Sequence, residues 1–104
     1  MIMLIRPDGT KRIIGDVAGS PTLKQLYEWL ECRTIEVPGG GFTLYGREIQ
    51  FVVDEDGKLT GKPFNPKATE QYDQVLADDP RGLIPGRDEL VGKVIILTEP
   101  NLLT

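Results

Sequence analysis

The sequence predicts a small α+β domain: a mostly antiparallel sheet with two helices, in the order β-β-α-β-β-β-α-β. Two stretches with apolar residues on one helical face are separated by short apolar or alternating stretches, and this mixture is typical of the α+β class. The chain has 104 residues, of which 39% are hydrophobic and 27% charged. This is the composition of a folded protein and the length of a single domain, residues 1–104.

The first elements are predicted to form a β-hairpin. Apolar stretches at residues 2–6 and 11–14 flank the sequence Pro7-Asp8-Gly9. Proline presets its own φ and glycine accepts positive φ, so this tripeptide is typical of a tight turn.

The segment Ser20-Pro21-Thr22 predicts the start of the first helix. Either Ser20 caps the helix with Pro21 in the first turn, or Thr22 caps it with Gln25 reaching back. The apolar face of this helix comprises Leu23, Leu26, Tyr27 and Leu30.

Three strands are predicted next, at residues 34–37, 42–45 and 48–54. A proline and three glycines at 38–41 separate the first two, and the third alternates between apolar and polar residues, as a half-buried strand does. The acidic turn at 54–57 is expected to lead into a further short strand near Leu59.

A second helix is predicted from Asn65 and Pro66, which match a cap followed by proline in the first turn. Its apolar face comprises Ala68, Tyr72, Val75 and Leu76. Pro80 ends it, because proline keeps the preceding residue out of the helical region. Residues 80–92 form a loop, and the continuous apolar run at 94–97 predicts a strand covered on both faces.

The residue inventory excludes several kinds of chemistry. There is no histidine, one cysteine (Cys32) and one serine (Ser20), which excludes Ser-His or Cys-His catalysis, histidine-bound metals and an intrachain disulfide. The acidic run at 54–57 does not have the spacing of a calcium-binding EF-hand loop. Adjacent carboxylates lie in predicted loops, where solvation disfavours the pKa shifts of acid–base catalysis. We therefore predict no catalytic residues, no cofactor and no metal.

Charge and hydropathy limit the partners. The net charge is −4 and the basic residues are scattered, whereas binding of bulk nucleic acid needs a concentrated basic surface. No apolar run approaches the ~20 residues of a membrane span. A lone cysteine is typical of a reducing cytoplasm.

The loop at residues 80–92 is the strongest candidate for a binding site, with a plain surface loop as the alternative. Arg81 and Arg87 flank the apolar, glycine-bounded stretch 82–86. Guanidinium groups suit bidentate recognition of phosphate or carboxylate.

Four segments, in order, carry a family resemblance: residues 35–37 (Ile-Glu-Val), 51–59 (ending Asp-Glu-Asp-Gly-Lys-Leu), 63–69 (with Asn-Pro-Lys-Ala-Thr) and 92–97 (Gly-Lys-Val-Ile-Ile-Leu). In these the chain resembles the small phage and plasmid proteins of domain-of-unknown-function family 3846. The resemblance covers nearly the whole chain, and the triple glycine and residues 78–89 depart from it. It implies an accessory protein of a phage or other mobile element in the bacterial cytoplasm, with no catalytic residues to carry over.

We therefore predict a non-enzymatic binding protein that counters a bacterial defence by capturing a phosphate-bearing nucleotide signal. Arg81 and Arg87 would clamp phosphates, Tyr72 or Phe64 would stack on a base, and Asn65 would contribute to the same site. Such sites often form between protomers, so a homo-oligomer is expected.

Two alternatives stay open. The protein could be an inhibitor or adaptor that docks on a host protein, with Trp29 and the acidic turns as anchors. For Trp29 itself, which lies one position off the apolar face of the first helix, the edge of the core is favoured over an exposed anchor. A small hydrolase that uses carboxylates alone is the third hypothesis.

Overall fold

The computed structural model describes residues 1–86 and 88–104, and it has the predicted order of strands and helices. The strands are β1 (Ile2–Ile5), β2 (Lys11–Ile14), β3 (Ile35–Glu36), β4 (Phe42–Leu44), β5 (Arg47–Asp54) and β6 (Val94–Thr98). The helices are α1 (Leu23–Leu30) and α2 (Pro66–Asp78), and a short 3-10 turn at Pro38–Gly40 joins β3 to β4. The predicted α+β class is confirmed.

The six strands form one sheet in the order β2-β1-β6-β5-β3, and β4 also pairs with β5. Every pairing is antiparallel. The central strand is β6, which lies between β1 and β5 although β1 comes from the other end of the chain. Four of its five residues are buried, which confirms the prediction that this apolar run is covered on both faces.

One helix packs on each face of the sheet. α1 contributes Leu26 and Leu30 to a core that includes Ile2, Leu4 and Val52 of the strands. α2 covers the opposite face, where its buried residues pack against Ile5, Phe42, Phe51, Val53, Val94 and Ile96. We call these the α1 face and the α2 face. Residues alternate between them along each strand because successive side chains point to opposite sides.

Local capping explains where the helices begin. Of the two caps considered for α1, Thr22 is the one found: its hydroxyl accepts from Gln25 N at 3.1 Å, and Gln25 Oε1 accepts from Thr22 N at 2.8 Å. Ser20 instead donates to the Leu102 carbonyl. Asn65 caps α2, with Pro66 in the first turn, as predicted.

The strand predicted near Leu59 is wrong. Residues 55–61 form consecutive turns, and the Leu59 side chain is 87% exposed. Thr60 N donates to the Asp56 carbonyl and Lys62 N to the Gly57 carbonyl, both at 2.9 Å. These local bonds curl the chain where the sequence pattern suggested extension.

The hairpin turn between β4 and β5 also differs by one residue from the prediction. It consists of Tyr45 and Gly46, both with positive φ (51° and 78°), so β5 begins at Arg47. Within the described residues, neither helix has the length and apolar character that crossing a bilayer requires.

Candidate functional site

Of the two arginines predicted to bind phosphate, Arg81 forms an ion pair with an aspartate of the same chain. The Arg81 guanidinium forms a two-point pair with the buried Asp79 carboxylate, from Nε to Oδ1 at 2.9 Å and from Nη2 to Oδ2 at 3.1 Å. It also lies 5.4 Å from the centre of the Phe42 ring. Because Asp79 and the Phe42 ring both contact the guanidinium group, Arg81 anchors the start of the loop to the sheet. Arg87 lies outside the described residues.

This pair has a local cause. Asp79 Oδ1 also accepts from the backbone N of Arg81 at 2.8 Å, a turn in which an aspartate bonds to the backbone two residues on. The side-chain hydrogen bond from Arg81 is the main reason why the pKa of Asp79 is lowered. The sequence Asp-Pro-Arg-Gly at residues 79–82 is the local signal for this turn.

Tyr72 cannot stack on a base, and this part of the nucleotide hypothesis is corrected. The residue is 5% exposed, and its ring packs edge to face against Phe42 at 5.7 Å and Phe51 at 5.2 Å between ring centres. Burial also raises the pKa of its hydroxyl. The ring therefore belongs to the core of the α2 face.

Asn65 is also a structural residue, which corrects its assignment as a ligand contact. It is fully buried. Its Nδ2 donates to the carbonyls of Ile5 at 3.0 Å and Gly92 at 2.8 Å, and its Oδ1 accepts from Ala68 N at 3.1 Å. The amide thus uses both its hydrogens and its oxygen within the fold.

The remaining candidates do not come together. Phe64 is 47% exposed, but it lies before the start of α2, whereas Arg81 follows its end. A helix of 13 residues separates them by about 20 Å. Trp29 is partly buried and packs against the core of the α1 face, so it forms the edge of the core on the other side of the sheet.

The structure instead brings two acidic turns together in one shallow pocket of about 180 Å³. One turn follows β5 and the other precedes β6, and because these strands are antiparallel neighbours, the two turns meet at the same end of the sheet. β3 adds a further carboxylate beside them. We call this the acidic pocket; its carboxylates are Glu36, Asp54, Glu55, Asp88 and Glu89, and its apolar residues are Pro38, Val53, Leu90 and Val91.

Burial divides these residues into a base and a rim. Val53 and Leu90 are buried at 8% and 3% exposure, whereas Glu36, Glu55 and Glu89 are exposed. At the rim, Lys58 forms an ion pair with Asp88. The pocket therefore combines an apolar base with a negative rim.

Asp54 has a structural role beside this pocket. Its Oδ2 lies 2.8 Å from Lys62 Nζ, and its Oδ1 accepts from Asp56 N at 2.9 Å. It also contributes to raising the pKa of the nearby Cys32 thiol, after the larger effect of burial. Among the residues that the structure describes, the exposed carboxylates of the pocket that form no ion pair are Glu36, Glu55 and Glu89.

The chemistry that this arrangement supports is recognition of a cation. Across residues 1–86 and 88–104, no three His, Cys, Asp or Glu side chains are grouped so that they could hold a metal ion. A lysine or arginine side chain has an apolar stem and a charged head, which match the base and the rim respectively. The acidic turns are docking anchors in the second hypothesis, but nothing local in the sequence brings them together, because their proximity depends on the pairing of β5 with β6.

Comparison of the chain with family models, with curated proteins and with solved structures finds no match. The functional assignment therefore depends on the geometry of this chain.

Proposed function

We propose that this protein is a non-enzymatic binding protein that docks on another protein through the acidic pocket. The observation that carries the proposal is that two acidic turns, far apart in sequence, line one pocket with an apolar base. The partner would insert an arginine or lysine, with its stem on Val53 and Leu90 and its charged head among Glu36, Glu55 and Glu89.

The size of the pocket favours a side chain over a nucleotide. Its volume is about 180 Å³, whereas pockets for small molecules usually span roughly 300–1,000 Å³. Its negative rim would also repel phosphate groups. Anchoring by one buried arginine, surrounded by weaker polar contacts, is a common arrangement in protein interfaces.

The resemblance to the phage and plasmid family suggests the setting. In that setting, the protein acts in the bacterial cytoplasm, and its partner is a host protein with a basic surface. Such an accessory protein would inhibit or redirect the host protein by occupying that surface. Attraction between the acidic pocket and the basic surface would increase the rate of association.

Most of the residues assigned to nucleotide capture make contacts within the fold instead. Tyr72 and Asn65 are buried and satisfied, and Arg81 is paired with Asp79. Phe64 is the exposed candidate that remains among the described residues. For this reason, the geometry favours protein docking.

Affinity capture from bacterial lysate with two charge-matched variants tests the proposal. The pocket variant carries Glu55→Lys and Glu89→Lys, and the control carries Glu28→Lys and Glu48→Lys, which are exposed glutamates outside the pocket. We expect a host protein, identified by mass spectrometry, to bind the wild type and the control but not the pocket variant. Binding should weaken as salt is added, since salt screens exposed charges. Equal capture by both variants would contradict the proposal.

A thermal-shift panel of mononucleotides and cyclic nucleotides tests the alternatives on the same protein. A ligand at 100 times its dissociation constant stabilises by about 2.7 kcal/mol, which is several degrees in a domain of this size. A clear shift with the ligand recovered intact would replace protein docking by nucleotide capture. Conversion of the nucleotide would instead revive the hydrolase hypothesis.

A further inference from the structure

The two edges of the sheet differ in how open they are to pairing. At one edge lie β3, of two residues, and β4, of three, interrupted by the 3-10 turn at Pro38–Gly40. Short strands and irregular turns are the usual means by which proteins protect a sheet edge. The other edge is β2, a regular strand of four residues that is mostly exposed. β2 is therefore the edge on which another strand can pair.

The hydrogen bonds of the hairpin show which groups of β2 are available. Arg6 N donates to the Thr10 carbonyl at 2.9 Å, and in an antiparallel pair every second residue bonds to the partner strand. Arg12 and Ile14 therefore direct their backbone groups towards β1. The N–H and C=O groups of Lys11 and Ile13 point away from the sheet.

We propose that a second copy of this chain pairs with β2 about a two-fold axis at Ile13, which joins the two sheets into one. A two-fold axis perpendicular to the sheet keeps the α1 and α2 faces continuous. Such an axis lies midway between two equivalent residues, one from each copy, that are directly opposite each other. At Ile13, both outward backbone groups bond to their equivalents in the second copy. Self-complementary pairing of this kind is the commonest form of dimer symmetry.

The side chains on the α2 face fit this register. Ile13 is 57% exposed, and its partner across the hairpin is Met3, which packs against the core of that face. The two-fold axis would place the two Ile13 side chains side by side, between the two Met3 side chains. Cross-strand pairs of apolar residues, especially β-branched ones, stabilise a sheet.

The charges on the α1 face also fit this register. Arg12 of one copy lies opposite Ile14 of the second copy. Its two diagonal neighbours there are that copy's Arg12 and, two residues beyond the end of β2, that copy's Asp16, which is within reach of a long side chain. The nearest alternative register, with its axis at Arg12, would place the two Arg12 residues directly opposite each other, and like charges in that position are destabilising. The axis at Ile13 is favoured because it avoids placing the two Arg12 residues directly opposite each other and brings each of them near an aspartate.

This dimer does not depend on the proposed function. The acidic pocket lies beside β3 and the end of β5, at the far side of the sheet from β2. Pairing through β2 leaves both acidic pockets open, one on each copy.

The test is the solution mass of three purified proteins over a wide range of concentrations. They are the wild type, Ile13→Lys, and the control Leu23→Lys, at a leucine whose 56% exposure matches that of Ile13. We expect the wild type and the control to form a dimer of twice 11.5 kDa and Ile13→Lys to remain a monomer. Circular dichroism checks that each variant is folded.

A cross-link tests the position of the axis. Residues that bond to each other across antiparallel strands have Cα atoms about 5.5 Å apart, which is within the range of a disulfide. In a Cys32→Ala background, Ile13→Cys should form a covalent dimer on mild oxidation, and Leu23→Cys should not. A wild type that is monomeric at all concentrations would overturn the proposal, as would a dimer that survives Ile13→Lys. The proposal would also be overturned if the wild type were monomeric and Ile13→Lys abolished binding of a host protein. That result would assign the β2 edge to another protein.

Discussion

Lys62 and Asp54 form an ion pair, at 2.8 Å between Nζ and Oδ2, that joins the wall of the acidic pocket to the end of α1. The same ammonium donates to the carbonyls of Leu30 and Glu31, both at 2.9 Å. These are two of the carbonyls that a helix leaves without a partner at its C-terminal end, where a positive charge is also favourable. All three ammonium hydrogens are thus used.

Lys62→Met should therefore destabilise the protein by about 3 kcal/mol, because it removes the cation paired with the buried Asp54 carboxylate and the donor to two carbonyls at the end of α1. The matched control is Lys58→Met. Lys58 is paired with Asp88, but their side chains are 60% and 40% exposed, so its loss should cost at most about 1 kcal/mol. Urea unfolding followed by Trp29 fluorescence measures both. Equal losses would show that Lys62 does not have this role.

Asn65→Ala should cost at least about 3 kcal/mol of the unfolding free energy, since it removes a helix cap and the two buried hydrogen bonds that Asn65 Nδ2 donates to the Ile5 and Gly92 carbonyls. Thr22→Ala is the matched control, because Thr22 caps α1 at an exposed position and its loss should cost about 1 kcal/mol. The same urea titration compares them. If the two variants lost similar stability, the links from Asn65 to Ile5 and Gly92 would contribute nothing.

Gly39→Ala should destabilise the fold more than Gly40→Ala. Both glycines have positive φ, +73° and +70°, so both substitutions carry the cost of left-handed backbone, about 1–2 kcal/mol. A Cβ at Gly39 would also lie 2.4 Å from Phe42 Cζ, whereas one at Gly40 meets open space. Displacing the Phe42 ring should add about 1–3 kcal/mol. A difference near zero in thermal or urea unfolding would refute this explanation of the glycine run.

The Asp79–Arg81 pair predicts a loss of stability in acid. The pKa of Asp79 is lowered in the folded protein, so the pair stabilises the fold above the ordinary carboxyl pKa. That contribution disappears as the pH falls through the lowered value. Between about pH 5 and about pH 2, the melting temperature of the wild type should fall more steeply than that of Asp79→Asn. Asp78→Asn, at the exposed neighbour, controls for the loss of one charge and should keep the slope of the wild type.

The elements of this fold were predictable because their signals are local. The capping box at Thr22 and Gln25 and the cap at Asn65 each depend on residues three apart, and the apolar run at 94–97 is visible without knowing its neighbours. The prediction of a strand near Leu59 was wrong because backbone hydrogen bonds, such as the one from Thr60 N to the Asp56 carbonyl, compete with an extended conformation. No pattern of side chains in the sequence indicates these bonds.

The position of Tyr72 in the core was predictable from the sequence. The periodicity that predicts the buried face of α2 includes Tyr72 together with Val75 and Leu76, and the structure buries all three. An aromatic residue on such an apolar face more often packs in the core than contacts a ligand. The function of Asn65 was harder to foresee, because its partners Ile5 and Gly92 are 60 and 27 residues away.

The acidic pocket could not be predicted from the sequence for a similar reason. Glu36, Glu55 and Glu89 are brought together by the pairing of β3 with β5 and of β5 with β6. Each lies in or beside a different element, and strand order is a property of the whole sheet.

The central position of β6 has a consequence for synthesis on the ribosome. Until residues 94–98 leave the exit tunnel, the hairpin of β1 and β2 and the ribbon of β3, β4 and β5 have no strand between them, because β6 pairs with both β1 and β5. The nascent chain therefore holds two unjoined pieces with exposed apolar faces, and contacts between distant parts of a chain form slowly. Folding of this domain is completed only after β6 has left the ribosome, so a translational pause before that point lengthens the time during which chaperones and proteases can reach the unfinished sheet.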